Sequence, residues 1–165
     1  MKTLRTIITL VMIATCCFMP TVRLTANAEA EKGQMIVSEE VEYFADGSSV
    51  TITVYEDVSV AAMRSVYSKS GSKTYTARNS SGEVIWKFIV KGTFSVNAGV
   101  SATCTNASYS TSNLASGWSL KEATAKKSGN TAVGDATFNH KTLFVVTDTK
   151  SCHVVLSCDS NGNLT

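Results

Sequence analysis

Alternation of apolar and polar residues dominates the chain after its first thirty residues and predicts β-strands rather than helices. Across residues 84–91 apolar side chains occupy the even positions, and lysines interrupt the odd ones. Successive side chains of a strand point to opposite faces, so Trp86 and Phe88 are predicted to face the core. The same face continues past Gly92 to Val96, which predicts one long strand with a bulge or kink at the glycine.

Short polar turns separate the alternating segments. Asp46-Gly47 is a strong hairpin signal because glycine accepts a positive φ angle, and residues 79–82 form a second polar turn. The turns divide the chain into about nine predicted strands. These strands are 40–45, 49–56, 73–77, 84–96, 100–105, 118–125, 131–138, 143–147 and 152–158.

Three segments lack a clear alternation. Residues 57–68 are predicted to be a helical turn or a loop over the core, whereas 105–117 and 139–142 are predicted to be polar loops. The spacing of the short strands predicts one all-β domain over residues 31–165. We expect it to be a single antiparallel β-sandwich that is immunoglobulin-like in general architecture.

The composition of the chain is that of a globular protein. Hydrophobic residues make up 44% of it and charged residues 17%, whereas intrinsic disorder and coiled coils both need many more charges. No apolar run beyond the first twenty residues approaches the roughly 18 residues that span a bilayer. We therefore expect no membrane span in the mature chain.

Residues 1–28 carry the pattern of a secretory signal peptide. Lys2 and Arg5 give a positive start, an apolar stretch covers residues 7–19, and Pro20 ends it. The alternative is a membrane anchor, but the stretch is short for one and no basic stop follows it closely. We expect the mature protein to be secreted.

Small side chains after the apolar stretch indicate where the signal peptide is removed. Ala26 and Ala28 suit the two pockets of signal peptidase and predict cleavage before Glu29, and a second site predicts cleavage before Glu31. A lipid anchor at Cys16 is the minor alternative. A threonine precedes this cysteine, where lipoprotein signals carry Gly, Ala or Ser.

Removal of the signal peptide changes the net charge. Residues 1–28 contain three basic residues and no acidic residue, so the 15 basic and 13 acidic residues of the whole chain become 12 and 13. The mature chain then has a net charge of −1 and no basic patch. A nucleic-acid partner bound through phosphate neutralisation is therefore not expected.

The mature chain keeps an odd number of cysteines, Cys104, Cys152 and Cys158. Cys152 and Cys158 would lie about 20 Å apart on an extended strand, which is too far for them to pair with each other. We predict a disulfide between Cys104 and Cys158, both near strand ends on the core face, rather than Cys104–Cys152. Cys152 is then a free thiol at the more exposed start of its strand and could link two copies covalently. Three reduced thiols are the alternative, and the spacing does not favour a metal site.

Residues that commonly carry catalysis are sparse in this chain. His140 and His153 are its two histidines, and we expect them in a turn and on an exposed strand face, without a role. No Gly-x-Ser-x-Gly elbow, phosphate loop or dinucleotide fingerprint occurs. Residues 159–162 start like a calcium loop but lack its closing glutamate, so they are predicted to be a polar turn. The sequence predicts no catalytic, cofactor-binding or metal-binding residue.

Exposed aromatic rings could form a platform for sugars. Trp86 shares a face with Phe88, and Trp118 shares one with Leu120, so both tryptophans are expected in the core. Tyr109, in the predicted polar loop, is the aromatic residue that we expect to be most exposed.

A set of aromatic positions and turns extends over most of the mature chain. It comprises residues 43–48, 73–75, 86–88 and 92–94, together with Cys104, Trp118 and residues 158–162. In these positions the chain resembles small secreted proteins of anaerobic Gram-positive bacteria. The resemblance implies secretion and one compact domain, and it implies no activity and no site residue.

The lack of a catalytic pattern, the near-zero charge and two polar loops favour a binding function. We expect a secreted, non-enzymatic module that binds a protein or a surface glycan through loops 105–117 and 139–142, because loops on a rigid scaffold often carry binding residues. The alternative is a secreted effector or antimicrobial-type protein. The chain has no cationic amphipathic segment of the kind that attacks membranes.

Overall fold

The computed structural model describes residues 33–58 and 65–165, and this part of the chain is all-β. Its eight strands are β1 (Gln34–Tyr43), β2 (Ser49–Asp57), β3 (Val66–Arg78), β4 (Val84–Asn97), β5 (Ser101–Ser112), β6 (Trp118–Ser128), β7 (Thr131–Thr142) and β8 (Val145–Ser157). They form a five-stranded sheet in the order β1-β2-β3-β4-β5 and a three-stranded sheet in the order β6-β7-β8. All neighbouring strands are antiparallel, so the predicted antiparallel all-β fold is confirmed.

Both predicted hairpins are confirmed. β1 and β2 are joined by a turn in which Gly47 has a φ of 80° and the amide of Phe44 donates to the carbonyl of Ser48. β3 and β4 are joined by a turn in which Oδ1 of Asn79 accepts two backbone amides. Since β2 pairs with β3, the two turns lie side by side at one end of the five-stranded sheet.

Strand β4 is the single long strand that its alternation predicts. Trp86 and Phe88 are buried on its inner face, the face that contributes to the core, and this face continues to buried Val96. The predicted irregularity lies next to Gly92, where the pairing with β5 shifts register at the Thr93–Phe94 step.

The strands are fewer and longer than predicted. Residues 145–147 and 152–157 of the last two predicted strands belong to one strand, β8, whereas 143–144 form the turn before it, so the described residues form eight strands instead of nine. The predicted polar loops are also largely strand, because 105–112 belong to β5 and 139–142 to β7. The long strand β4 offers backbone partners along its length, and β5 pairs with it as far as Ser112 although its side chains are polar.

The immunoglobulin-like arrangement is not confirmed. Each sheet contains only strands that follow one another along the chain. Immunoglobulin sheets instead combine strands from distant parts of the sequence through Greek-key connections. What the structure shows is two consecutive antiparallel meanders.

Several predictions fall outside the described residues. These are the signal peptide over 1–28, its cleavage sites and the lipid-anchor alternative at Cys16. Residues 59–64, half of the segment 57–68, also fall outside; of the other half, Asp57 ends β2 and residues 66–68 begin β3. Within the described residues, no helix is long and apolar enough to cross a membrane.

The two sheets share one hydrophobic core. Trp86 of β4 stacks on Phe138 of β7, with ring centroids 4.2 Å apart and planes 11° apart. The sheets also approach closely at Gly134, where an added Cβ would overlap the side chains of Val90 and Phe88. Glycine at this position therefore allows β7 to lie against β4.

The C-terminal segment closes one end of this core. After β8 a polar turn, held by Oδ1 of Asp159, reverses the chain, and Leu164 returns to pack over Gly71 with only 1% of its surface exposed. Backbone hydrogen bonds join Ser157 and Thr165 in both directions. We call the part of the core around Gly71 and Leu164 the closed end.

Candidate functional site

The other end of the core opens into a groove of about 890 Å³. It is lined by the two hairpin turns of the five-stranded sheet, by the connection between β5 and β6, and by β7 and β8. We call this part of the molecule the open end. The groove brings together side chains from segments that are far apart in the sequence.

Trp86 lines the groove although only 2% of its surface is exposed. Its ring stacks on Tyr75, at a centroid distance of 5.6 Å, as well as on Phe138. The indole nitrogen Nε1 is buried and has no hydrogen-bond acceptor among the described residues. A buried donor that lacks an acceptor costs about 1–3 kcal/mol. The prediction that Trp86 lies in the core is confirmed, and its Nε1 is enclosed within that core.

Trp118 and His140 form a second aromatic pair in the groove. Their ring centroids are 5.2 Å apart and both are half-buried. The imidazole Nδ1 lies 3.0 Å from Oγ1 of Thr147. Gly117, with a φ of 83°, allows the chain to pass beneath the imidazole, since an added Cβ would lie 2.8 Å from Nε2 of His140. His140 therefore lies near the end of β7 and lines the groove, rather than occupying a turn as predicted.

Three carboxylates line the groove, and each accepts a hydrogen bond within its own segment. Asp46 accepts from the hydroxyl and the amide of Ser48, at 2.5 and 2.9 Å, and these bonds hold the pKa of Asp46 below its ordinary value. Glu83 accepts from the side-chain amide of Asn79, and Asp148 accepts from the amide of the next residue. The carboxylates are oriented by these bonds and keep oxygen lone pairs for further donors.

Two basic residues complete the polar lining. Arg78 donates through Nη1 to the carbonyl of Gly82 at 3.0 Å, which leaves most of its N–H groups free for a ligand. Lys150 lies 3.8 Å from Asp148, and an exposed ion pair of this kind contributes little to stability. The groove thus combines aromatic surface with both donors and acceptors.

Strand β8 shows how the sequence opens this end of the core. Cys152 and Val154 are buried on its inner face, whereas Lys150 and Asp148, on the same face by alternation, are exposed. β8 is an edge strand, and inward-pointing charges on an edge discourage pairing with a further strand. The change from apolar to charged residues along one face marks where the core ends and the groove begins.

All three cysteines of the described chain are free and buried. The disulfide predicted between Cys104 and Cys158 is not formed in the structure. The two residues are nevertheless close in the fold, because their amides donate to the carbonyls of Gly129 and Asn130, which are adjacent in one turn. The thiol of Cys104 donates to a backbone carbonyl of its own strand at 3.2 Å instead of contacting the second sulfur.

Cys152 is also buried, which corrects the expectation of an exposed thiol. Only 8% of its surface is exposed, and desolvation by burial raises the pKa of its thiol to about 12. Burial likewise raises the pKa of Cys158 to about 11. Since the thiolate is the reactive form, a covalent dimer through Cys152 finds no support in the structure.

On the outer face of the three-stranded sheet, His153 pairs with Asp135. Its Nδ1 lies 2.6 Å from Oδ1 of Asp135, and the imidazole is exposed, as predicted. The hydroxyls of Thr137 and Ser151 bond to each other beside this pair at 3.1 Å, in a depression of about 490 Å³. Among the described residues, no three or more potential ligands are placed to hold a metal ion.

The turn between β7 and β8 presents the most exposed apolar side chains of the described chain. Phe144 is 100% exposed and Leu143 is 87% exposed. Both have positive φ angles, 70° and 49°, and such a conformation costs a non-glycine residue about 1–3 kcal/mol. We call Leu143 and Phe144 the apolar tip. Tyr109 is exposed, as expected, at 42%, but it lies in β5 rather than in a loop, and Phe144 is more exposed. Its ring packs against Phe88 at a centroid distance of 5.9 Å.

Sequence reasoning did not find the groove because no single segment forms it. Of the predicted binding loops, only Ala115, Ser116 and His140 line it. The sequence contained one relevant signal. Along one face of residues 148–156, charged Asp148 and Lys150 are followed by apolar residues. That change predicts an edge of the core, but it does not identify the turns that face it.

Comparison with known protein families, with curated proteins and with solved structures finds no match to this chain.

Proposed function

We propose that this protein is a secreted, non-enzymatic β-sandwich module that binds a surface glycan in the groove at the open end. The observation that carries the proposal is the groove itself, about 890 Å³ in volume, in which the partly exposed ring of Trp118 lies among carboxylates and basic side chains. Clefts that combine aromatic surface with a few polar groups are the usual sites of small ligands.

Secretion is part of the same proposal. It is supported by the signal-peptide pattern in residues 1–28 and by the resemblance to small secreted proteins of anaerobic Gram-positive bacteria. The exported protein, one domain over residues 31–165, is expected to begin at Glu29 or Glu31 when its N-terminus is sequenced from the culture medium. Retention of residues 1–28 on the exported protein contradicts this part of the proposal.

The chemistry of the groove matches that of a sugar. A sugar ring presents C–H groups on its faces and hydroxyl groups around its rim. Phe44 and Trp118, both partly exposed, offer aromatic surface for the ring faces, while Asp46, Arg78 and Lys150 offer acceptors and donors for the hydroxyls. Apolar walls with a few well-placed polar groups are the usual composition of small-ligand sites.

A protein partner fits this groove less well. The common way for a protein to use an edge strand is to add a strand to it. The inward-pointing charges of Asp148 and Lys150 on β8 discourage such pairing. The groove therefore favours a small, hydroxyl-rich ligand.

An array of immobilised oligosaccharides tests the proposed function. The wild-type protein is expected to be retained by at least one class of glycan, and Trp118→Ala is expected to reduce that retention because aromatic surface is lost. Tyr109→Ala, at a partly exposed aromatic residue outside the groove, is the matched control and should bind normally. No retention of the wild-type protein, or equal losses in the two variants, contradicts the proposal.

A second candidate function, a secreted effector that acts at membranes, is favoured by the apolar tip. Leu143 and Phe144 present contiguous apolar surface to solvent, and aromatic residues often insert at the membrane interface. Dye leakage from anionic vesicles tests it. Leakage that is lost when both residues are replaced by serine supports this function, and its absence at micromolar protein contradicts it.

A further inference from the structure

The ribbon formed by the end of β7 and the start of β8 extends from the groove beyond the hydrophobic core. His140 and Asp148 pair across this ribbon, and both line the groove. The amide of Lys141 donates to the carbonyl of Gly117 at 2.8 Å, which holds the ribbon against the connection between β5 and β6. Residues 141–151 are all exposed. The ribbon therefore forms one wall of the groove and then continues into solvent.

The apolar tip ends this ribbon close to the groove. Leu143 follows His140 by three residues, so their Cα atoms are at most about 11 Å apart. Val145, directly after the tip, is 64% exposed and extends the apolar surface. A ligand bound beside His140 therefore lies near exposed apolar surface of the same protein.

The shape and composition of the tip suit a lipid bilayer better than a protein partner. A side chain that is fully exposed, as Phe144 is, packs against no other part of the chain. The tip therefore protrudes, and it offers no pocket for the side chains of a partner protein. Phenylalanine and leucine are residues that enter the boundary between lipid headgroups and acyl chains. Lys141, two residues before the tip, is exposed and positively charged, which suits lipid phosphate groups.

Two apolar side chains are too few for stable attachment to a bilayer on their own. Even a myristoyl chain gives only marginal and reversible membrane binding. A second contact with the same surface raises the overall affinity, because the second binding event then takes place at a high effective concentration. The groove beside the tip provides this second contact when its glycan is anchored in the bilayer.

We propose that the ligand of the groove is a glycan attached to a lipid, which is bound at the bilayer surface while the apolar tip enters the bilayer interface. This docking rests on the proposed function, because it requires a glycan in the groove. Two side chains at the interface leave the bilayer intact, so binding without dye leakage distinguishes this docking from a membrane-active effector.

The same glycan on two supports provides the test. A glycan that the array retains is coupled through its reducing end to phosphatidylethanolamine, in vesicles of phosphatidylcholine and phosphatidylglycerol, or to soluble polyacrylamide. Surface plasmon resonance measures the affinity of the secreted protein for each support. Binding to the vesicles is expected to be at least about tenfold tighter, because only there does the apolar tip leave water. Vesicles without the glycan should bind only weakly.

Substitutions at the tip separate its contribution from that of the groove. Leu143→Ser combined with Phe144→Ser is expected to remove the tenfold advantage of the vesicles. Binding to the polyacrylamide conjugate should stay unchanged, because neither residue is among those that line the groove. Val100→Ser is the matched control and should keep the advantage. Val100 is 72% exposed, and its turn is tied to the closed end by a hydrogen bond from Gly99 to Ser160.

A fluorophore attached to the tip reports insertion directly. The three cysteines of the described chain are buried, so Phe144→Cys adds an exposed thiol for a polarity-sensitive dye. The fluorescence of this dye is expected to rise with the glycan-bearing vesicles and not with the polyacrylamide conjugate. The same dye at Val100→Cys should not respond to either.

Equal affinity for the two supports, or equally tight binding to vesicles without the glycan, overturns the proposed docking while glycan binding in the groove stands. A vesicle advantage that the double serine variant keeps also overturns it. Self-association that this variant abolishes, without any vesicle advantage, would assign the tip to a second copy of the chain instead. Failure to bind any glycan of the array contradicts the proposed function itself.

Discussion

The closed end and the open end of the core are built from the same two sheets but are completed differently. At the closed end, Leu164 packs over Gly71 and is itself buried. At the open end, Trp86 is almost equally buried, yet its Nε1 has no acceptor among the described residues. An apolar gap can be filled by the chain itself, whereas an unused donor requires a polar partner. The comparison teaches that one core can be closed by its own chain at one end and remain open as a groove at the other.

The largest expected effect lies at the closed end. Leu164→Ala removes the side chain that seals this end and is expected to lower the free energy of unfolding by about 2–5 kcal/mol. Urea unfolding measures the change. Leu143→Ala, at the exposed apolar tip, removes the same atoms from solvent and should change stability by less than about 0.5 kcal/mol. Equal effects in the two variants would show that Leu164 does not seal the core.

At the apolar tip, a substitution is expected to raise the stability of the protein rather than lower it. Replacing Leu143 by Asn and Phe144 by Gly supplies residues that accept positive φ angles in a two-residue hairpin turn. The double variant is expected to be more stable by about 1–2 kcal/mol, because conformational strain is relieved. Val146→Thr, at an exposed residue outside the turn, should not stabilise the protein. Loss of stability in the double variant would contradict this account of the turn.

A smaller effect is expected from Trp86→Phe in the absence of ligand. The substitution loses packing contacts of the indole ring, but it also removes a buried donor that has no acceptor. The free energy of unfolding should therefore fall by less than about 1 kcal/mol. Phe94→Leu, at a fully buried residue without a polar atom, should cost about 1–2 kcal/mol. Thermal and urea unfolding compare the two variants. A Trp86→Phe variant that is less stable than Phe94→Leu would indicate that Nε1 is satisfied in the free protein.

The smallest expected effect is the pH dependence of stability that arises from two buried thiols, Cys152 in β8 and Cys158 directly after it. Burial raises the pKa of Cys152 to about 12 and that of Cys158 to about 11, from an ordinary value of 9.0. The unfolded chain loses these protons first, so the stability contributed by the neutral thiols is present below pH 9 and is lost as pH rises towards 11 to 12. Unfolding free energies measured between pH 8 and 10.5 are expected to fall, and Cys152→Ala should make the fall shallower. An unchanged slope in that variant would contradict burial of this thiol.

Local features of the fold could be predicted from the sequence. The alternation around Trp86 identified the inner face of β4, and Asp46-Gly47 identified the first hairpin, because strand period and turn conformation depend on neighbouring residues. The strand limits were wrong where Ser, Thr and Asn dominate. Residues 105–112 look like a loop in isolation but pair with β4 along its length.

The candidate site could not be predicted in the same way. Trp118 of β6 meets Trp86 of β4 only when the two sheets pack, and no local pattern records how the sheets are placed. The same holds for Cys152, which is buried because β8 lies against the other sheet. Whether Nε1 finds an acceptor is likewise a property of the assembled core.

The most direct test of glycan binding in the groove at the open end is the indole N–H signal of Trp118 in a nitrogen-15 NMR spectrum. The chain has two tryptophans, so the spectrum has two indole signals, and Trp118→Phe assigns them. Addition of a glycan that the array retains, to saturation, is expected to shift the Trp118 indole signal, because the partly exposed ring of Trp118 lines the groove. A Trp118 signal that stays in place while the glycan is bound would contradict the claim that the groove is the binding site.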